Sequence, residues 1–165
     1  MTNTIVIAEL NKGIIHSTTR ELVTAAQMLG SSCTVIVPCT DSSVSDSIGS
    51  TSGVEKIIVA KSLIFENYDA SGWASAIDSV TPQGIIITSA SPQSKDLAAR
   101  LAARRKISVV QDVVAIDGTN LTSPVYSGKA MQTVSMSGNT VVSIRQNVFD
   151  ASPDGGSAEL SVIDA

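Results

Sequence analysis

Short apolar runs rich in β-branched residues recur along this chain with helical patterns between them, and that alternation restricts its fold more than any single motif. The runs are Thr4 to Ala8, Thr34 to Val37, Lys56 to Ala60, Gly84 to Thr88 and Ser108 to Val110. Such runs suit strands covered on both faces. The intervals read differently. Thr18-Thr19-Arg20-Glu21 offers a capping box that opens a helix. Leu22, Ala25, Ala26 and Leu29 then form one apolar stripe, and Gly30 can end the helix in the left-handed conformation. Tyr68, Trp73, Ile77 and Val80 mark a second covering helix despite Gly72, and Ser94 to Arg105 a third. Between them, Asp41 to Gly53 is Ser-rich and holds at most a short helix on Val44 and Ile48. Strands alternating with helices imply right-handed crossovers and a parallel sheet with helices on both sides. The expected fold is therefore α/β: three layers, doubly wound, mostly parallel.

The 165 residues, 43% of them hydrophobic, suffice for one core and form a single domain spanning 1–165. A net charge of −4 excludes the basic surface on which nucleic-acid binding depends, and 3% aromatic residues leave little for a base-stacking platform. Cys33 and Cys39 flank one expected strand, so they lie roughly 20 Å apart at about 3.3 Å per residue and cannot bridge. No stretch approaches the roughly 20 apolar residues of a membrane span, and the N-terminus lacks the basic segment of a signal peptide. A cytoplasmic location is expected.

The last third carries the most specific signal. Ser123-Pro124-Val125-Tyr126-Ser127-Gly128-Lys129-Ala130-Met131-Gln132-Thr133-Val134 and Thr140-Val141-Val142-Ser143-Ile144-Arg145 read as two strands of a C-terminal antiparallel β-hairpin. Ser137-Gly138-Asn139 would be its turn, and Phe149-Asp150 closes the run. Pro153 to Ser157 reads as a linker, and Glu159 to Ile163 as a last strand. The Pro-x-Tyr-x-Gly-x-Ala strand, the following Ile-Arg strand and the Phe resemble the N-terminal domain of the electron-transfer flavoprotein alpha subunit. Ser89 to Ala102 is similar to that family's small-residue loop opening an Ala/Leu/Arg helix, and Asp112 falls where the family also has an Asp. The resemblance implies an adenine-nucleotide-hydrolase-like sheet in the strand order 3-2-1-4-5. It also implies FAD as the family cofactor and a beta-type subunit, or self-association, as partner. The Gly-Arg-Gly turn and the Gly-Ile-Ser-Gly-Ala loop of the family's C-terminal FAD-binding domain do not occur here. The chain is expected to be the scaffold without that domain.

In an open parallel sheet, ligands bind beyond the carboxyl ends of the strands. Two loops qualify: Glu9 to Ser17, and Ser89 to Lys95. In the second, Ser89, Ser91, Ser94 and Lys95 can contact a phosphate at the positive end of the next helix. The plainer alternative has Ser94 capping the helix, Pro92 shaping the turn and Lys95 solvated. The spacing matches neither a Walker loop nor a dinucleotide fingerprint. Arg100, Arg104, Arg105 and Lys106 form either a docking patch or ordinary cations at a helix C-terminus. Arg145 reads as a paired charge supporting the hairpin. His16 is the lone histidine, which excludes a His-based metal cluster and leaves any catalytic triad to be built around it; no Gly-x-Ser-x-Gly elbow occurs, and Asp117-Gly118 reads as a turn.

Three functions follow from these residues. The leading one is an electron-transfer flavoprotein alpha-like scaffold, acting through a beta-type subunit or a separate FAD domain, with no catalytic residue of its own and an apolar face left for the partner. The second is a stand-alone module binding AMP, another adenine nucleotide or FAD through the Ser89–Lys95 loop. An enzyme of the hydrolase-like group is the third and has no recognisable catalytic set.

Overall fold

A computed structural model describes residues 2–165. Its strands are β1 (Asn3–Ile7), β2 (Leu10–Asn11), β3 (Ile14–Ile15), β4 (Ser32–Cys39), β5 (Lys56–Lys61), β6 (Ile85–Ser89), β7 (Ser108–Val113), β8 (Ala115–Asp117), β9 (Asn120–Val125), β10 (Ala130–Ser135), β11 (Thr140–Ile144) and β12 (Glu159–Asp164). Its helices are α1 (Thr18–Leu29), α2 (Ala70–Val80) and α3 (Pro92–Arg105), with short 3-10 turns at Ser42–Ser47 and Leu63–Glu66. Seven strands form one parallel sheet in the order β12-β5-β4-β1-β6-β11-β7. Beside it lie a three-stranded antiparallel sheet, β10-β9-β8, and the small β2-β3 hairpin.

The apolar runs are uniform because both faces of the sheet are covered. Val6, Val35, Ile57, Ile87 and Val142 face a core shared with Leu22, Ala25 and Ala26 of α1. Their neighbours Ile5, Ile36, Ile58, Ile86 and Val141 face the opposite core, shared with Ile77 of α2 and Leu97 and Leu101 of α3. Successive strand residues point to opposite sides, so a strand with two apolar neighbours must be apolar throughout. The α/β three-layer class is as expected.

The strand order differs from 3-2-1-4-5 in two respects. The five anticipated strands keep that sequence as β5, β4, β1, β6 and β7, but β11 enters between the last two and β12 extends the far edge. The C-terminal hairpin is also built differently. β10 folds back on β9, Ala130 opposite Val125, across Tyr126, Ser127 and Gly128, all with positive φ. Ser137-Gly138-Asn139 is no hairpin turn: it carries the chain into β11, which pairs in parallel with both β6 and β7. The satellite sheet thus replaces the usual helix as the crossover between the parallel neighbours β7 and β11, and buries Ile116 and Leu121 in the α1-side core.

Three expectations about helix ends fail for local reasons. Thr18 and Glu21 do not cap each other. The Thr18 N–H donates to His16 Nδ1, while the Glu21 carboxylate accepts the Asn147 N–H at 2.7 Å from the returning C-terminal segment. Gly30 is extended, φ −157°, and its value is room: a Cβ there would lie 2.6 Å from the Thr2 carbonyl. α3 starts at Pro92, with Ser91 rather than Ser94 as the cap, its Oγ accepting the Ser94 N–H. Pro at a first helical position loses no hydrogen bond.

The segment after β11 crosses α1 as a strap. Arg20 donates to the carbonyls of Ser47 and Ser152 and to Asp154, and Thr24 to the Asp150 carbonyl. These contacts deliver β12 to its place beside β5, with Glu159 opposite Lys56.

Candidate functional site

Four parallel strands end around one cleft of 610 Å³, as the geometry of open α/β sheets dictates. Glu9 follows β1, Ser89 ends β6, Asp112 lies near the end of β7, and Arg145 follows β11. Ser91 and Lys95 line it from the start of α3, and His16 from the segment before α1. The loops singled out by sequence do converge here, and two further strand ends join them.

Ser89, Ser91, Ser94 and Lys95 lie together, and the three serine hydroxyls are engaged within the chain. Ser89 and Ser91 donate to the two carboxylate oxygens of Glu9, each at 2.6 Å, and Ser94 Oγ lies 2.9 Å from Ser89 Oγ. Lys95 Nζ is 4.0 Å from Asp112. Hydroxyls that meet a carboxylate at this distance make charge-assisted bonds, about twice as strong as neutral ones. Glu9 is the residue that sequence reasoning passed over. It sits at the end of an apolar run inside a loop already marked, and that position was its only signal.

Asp112 owes its place to a bulge. Val142 pairs with Val110 but Ile144 with Val113, so Gln111 and Asp112 together oppose Ser143. Asp112 takes φ +61°, its N–H donates to Ser143 Oγ, and Ser143 in turn donates to Gln111. Bulges re-aim side chains at the ends of strands. Here the carboxylate is turned onto Arg145, whose Nε lies 3.0 Å away and whose second nitrogen closes a two-point pair. Arg145 is a paired charge as expected, yet it supports the sheet end rather than a hairpin.

Arg145's hydrogen bonds, with the charge of Lys95, hold the Asp112 carboxyl below its usual range. A carboxyl with a depressed folded-state pKa contributes stability above its unfolded value of about 3.9, and that contribution fades as pH falls through the folded value. Asp112→Asn is therefore expected to flatten the loss of stability below about pH 4. Urea midpoints measured from pH 2 to 6 check this, and an acid limb as steep as in the unsubstituted chain would count against it.

Of the two readings of the cations at the end of α3, pairing within the chain accounts for the three arginines, while Lys106 is exposed. Arg105 is bound to Asp78 and neighbouring carbonyls, Arg104 also reaches Asp78, and Arg100 pairs with Asp96. Cys33 and Cys39 are free thiols, and burial pushes Cys33 up to about 12, so it is no nucleophile at neutral pH. Among the described residues no group of three or more His, Cys, Asp or Glu could hold a metal, and no helix is long and apolar enough to cross a membrane.

Residues 4–165 match the family model described as "Electron transfer flavoprotein domain". The chain belongs to this family. It is 32% identical over 163 residues to the mitochondrial electron transfer flavoprotein subunit alpha of Arabidopsis thaliana, covering 92% of this chain and 45% of that protein. The alpha subunit of Mycobacterium tuberculosis is 29% identical over 167 residues, 96% of this chain and 52% of the relative. That of Paracoccus denitrificans is 27% identical over 161 residues, with coverage of 95% and 52%. The chain spans about half the length of the curated relatives it matches. The electron transfer flavoprotein resemblance read from Pro124 to Ala130 and from Ser89 to Ala102 thus extends across the whole matched span.

Proposed function

We propose that this domain is the alpha-type scaffold of an electron-transfer flavoprotein: it docks a beta-type subunit or a separate FAD domain and shapes the assembly in which flavin-linked electron transfer takes place. The observation that carries this reading is the β9–β10 hairpin. Among the described residues β10 pairs only with β9, and it is exposed along nearly its whole length, with Tyr126 81% and Met131 57% exposed near the tip. Exposed aromatic and Met side chains beside an unpaired strand edge are suited to a protein partner. Bound FAD would supply the redox chemistry. The cleft does not fit its phosphates as it stands, since Glu9 and Asp112 engage the donors there. The reading therefore assigns the flavin to the partner or separate domain.

Mixing the chain with a beta-type subunit, followed by size-exclusion chromatography with light scattering and a visible spectrum, tests the proposal. The expected result is a heterodimer whose affinity drops about tenfold or more with Tyr126→Ser or Met131→Ser. A homodimer disrupted by the same substitutions would replace the beta-type partner with a second copy. Absence of any complex at micromolar concentration would reject the docking role.

A second reading places AMP, another adenine nucleotide or FAD in the cleft on Ser89, Ser91, Ser94 and Lys95. It draws on Ser89, Ser91 and Lys95 lining the cleft beyond the carboxyl ends of β1, β6, β7 and β11, with Ser94 held against Ser89. It requires Glu9 to give up the Ser89 and Ser91 hydroxyls, and titration of the chain with AMP and FAD tests it.

A further inference from the structure

The parallel sheet has two outer edges, and they are protected unequally. At β7 the bulge at Gln111 and Asp112 interrupts the pairing, and the satellite sheet packs alongside through β9. Both devices keep a strand edge from recruiting another chain. β12, roughly 29 Å away across six strand spacings of about 4.8 Å, has neither. It pairs with β5 over six consecutive residues without a break and contains no Pro or Lys. Among the described residues no strand lies on its other side. Its apolar side chains are also uncovered. Leu160 and Val162, 46% and 50% exposed, stand beside Ile57 and Val59 on the α1 side of the sheet. Ile163 is exposed on the opposite side, as is Leu63 just past the end of β5.

Charge selects the occupant of this edge. β12 carries a carboxylate at each end, Glu159 and Asp164, both exposed and neither in an ion pair among the described residues. On the inner side they stand opposite Lys56 and Lys61, the two ends of β5. A second copy fits poorly. Antiparallel pairing of β12 with itself along the whole strand sets Glu159 opposite Asp164 at both ends, and like charges directly opposed destabilise a sheet. An apolar strand with a cation at each end, as in the Lys-Ile-Ile-Val-Ala-Lys of β5, meets both carboxylates whichever way it runs.

We propose that the free edge of β12 is a docking site for an extended segment of another polypeptide, apolar in its middle and basic at two positions five residues apart, which joins the sheet as an eighth strand. Backbone hydrogen bonds along the edge supply the attachment, and the flanking charges supply the selectivity. The site lies across the sheet from the β9–β10 hairpin and does not depend on the docking role proposed there.

A fluorescein-labelled peptide Lys-Ile-Ile-Val-Ala-Lys, with Glu-Ile-Ile-Val-Ala-Glu as control, is titrated against the full chain by fluorescence polarisation, and amide exchange in β12 is followed by NMR. The basic peptide is expected to bind saturably below millimolar Kd and to slow exchange in β12, with the acidic peptide at least about tenfold weaker. Val162→Lys places a charge on the open edge, and Glu159→Lys with Asp164→Lys reverses both ends. Each is expected to weaken the basic peptide about tenfold, and the reversed chain to prefer the acidic one. All three positions are exposed, and thermal melts run first establish folding. Should charge reversal unfold the chain, Glu159→Gln with Asp164→Asn makes the same comparison. No saturable binding at millimolar peptide overturns the proposal, as does equal binding of the two peptides or binding that leaves exchange in β12 unchanged. A homodimer in light scattering that Val162→Lys breaks would seat a second copy on the edge and overturn it too.

Discussion

Ile86→Ala is expected to lower the unfolding free energy by about 2–5 kcal/mol, the range for removing an Ile side chain from a packed core. Ile86 is fully buried in β6, where it pairs with Ile5 of β1 on one side and Val141 of β11 on the other. Its side chain belongs to the core beneath α2 and α3, with Ile77, Leu97 and Leu101 around the same space. Neighbours held in the middle of a seven-stranded sheet can collapse only partly into the void. Single-domain stabilities are typically about 5–15 kcal/mol, so this one change consumes a large share. Urea unfolding followed by circular dichroism measures it. Ile86→Val should cost about 1 kcal/mol, and equal midpoints for the two variants would mean that this core is looser than its burial implies.

Arg105→Ala is expected to cost about 2 kcal/mol, less than a fully buried ion pair because Asp78 is 26% exposed. Arg105 itself is only 8% exposed and binds the last turn of α3 to the end of α2. Its Nε meets Asp78 at 2.6 Å, and its terminal nitrogens meet the carbonyls of Pro82 and Thr81. Truncation leaves Asp78 with only the longer Arg104 contact and strands the Pro82 and Thr81 carbonyls, and unmade hydrogen bonds of buried groups carry a desolvation cost. Arg105→Lys keeps the charge but not the planar fork, so it should recover only part of the loss. Thermal and urea unfolding of both variants check this, and an Arg105→Ala protein as stable as the parent would return the residue to the role of a free surface cation.

Much of this architecture is legible in the sequence for a plain reason. A strand between two apolar layers must itself be apolar on both sides, and that leaves runs such as Ile85-Ile86-Ile87 that no other arrangement needs. β11 is buried at every position from Thr140 to Ile144, but its Thr and Ser make that less plain in the sequence. Ser137-Gly138-Asn139 suits a turn by composition, but composition says nothing of which strands it joins, so β11 reads as a hairpin strand. The three left-handed residues from Tyr126 to Gly128 made the real hairpin turn, and Tyr and Ser are not residues whose chemistry announces that conformation.

At the cleft the division is sharper. Ser89, Ser91, Ser94 and Lys95 could be marked together because they lie within one loop and the helix it opens. Their proton acceptor could not, because Glu9 reaches Ser89 across 80 positions and Ser91 across 82. Asp112 and Arg145 are 33 positions apart and meet only because β7 and β11 are neighbours joined by a bulge.

The sequence by itself determined the layered α/β class, the helices that cover it, the family resemblance and the end of the sheet where a site would form. These are properties of periodicity and local chemistry, carried by residues close together in the chain. Only the tertiary structure decided that β11 enters between β6 and β7, and that a three-stranded sheet serves as their crossover. It alone placed Glu9 and Asp112 on the donors of the cleft. Strand order and long-range charge pairing depend on which distant segments end side by side, and no local pattern encodes that.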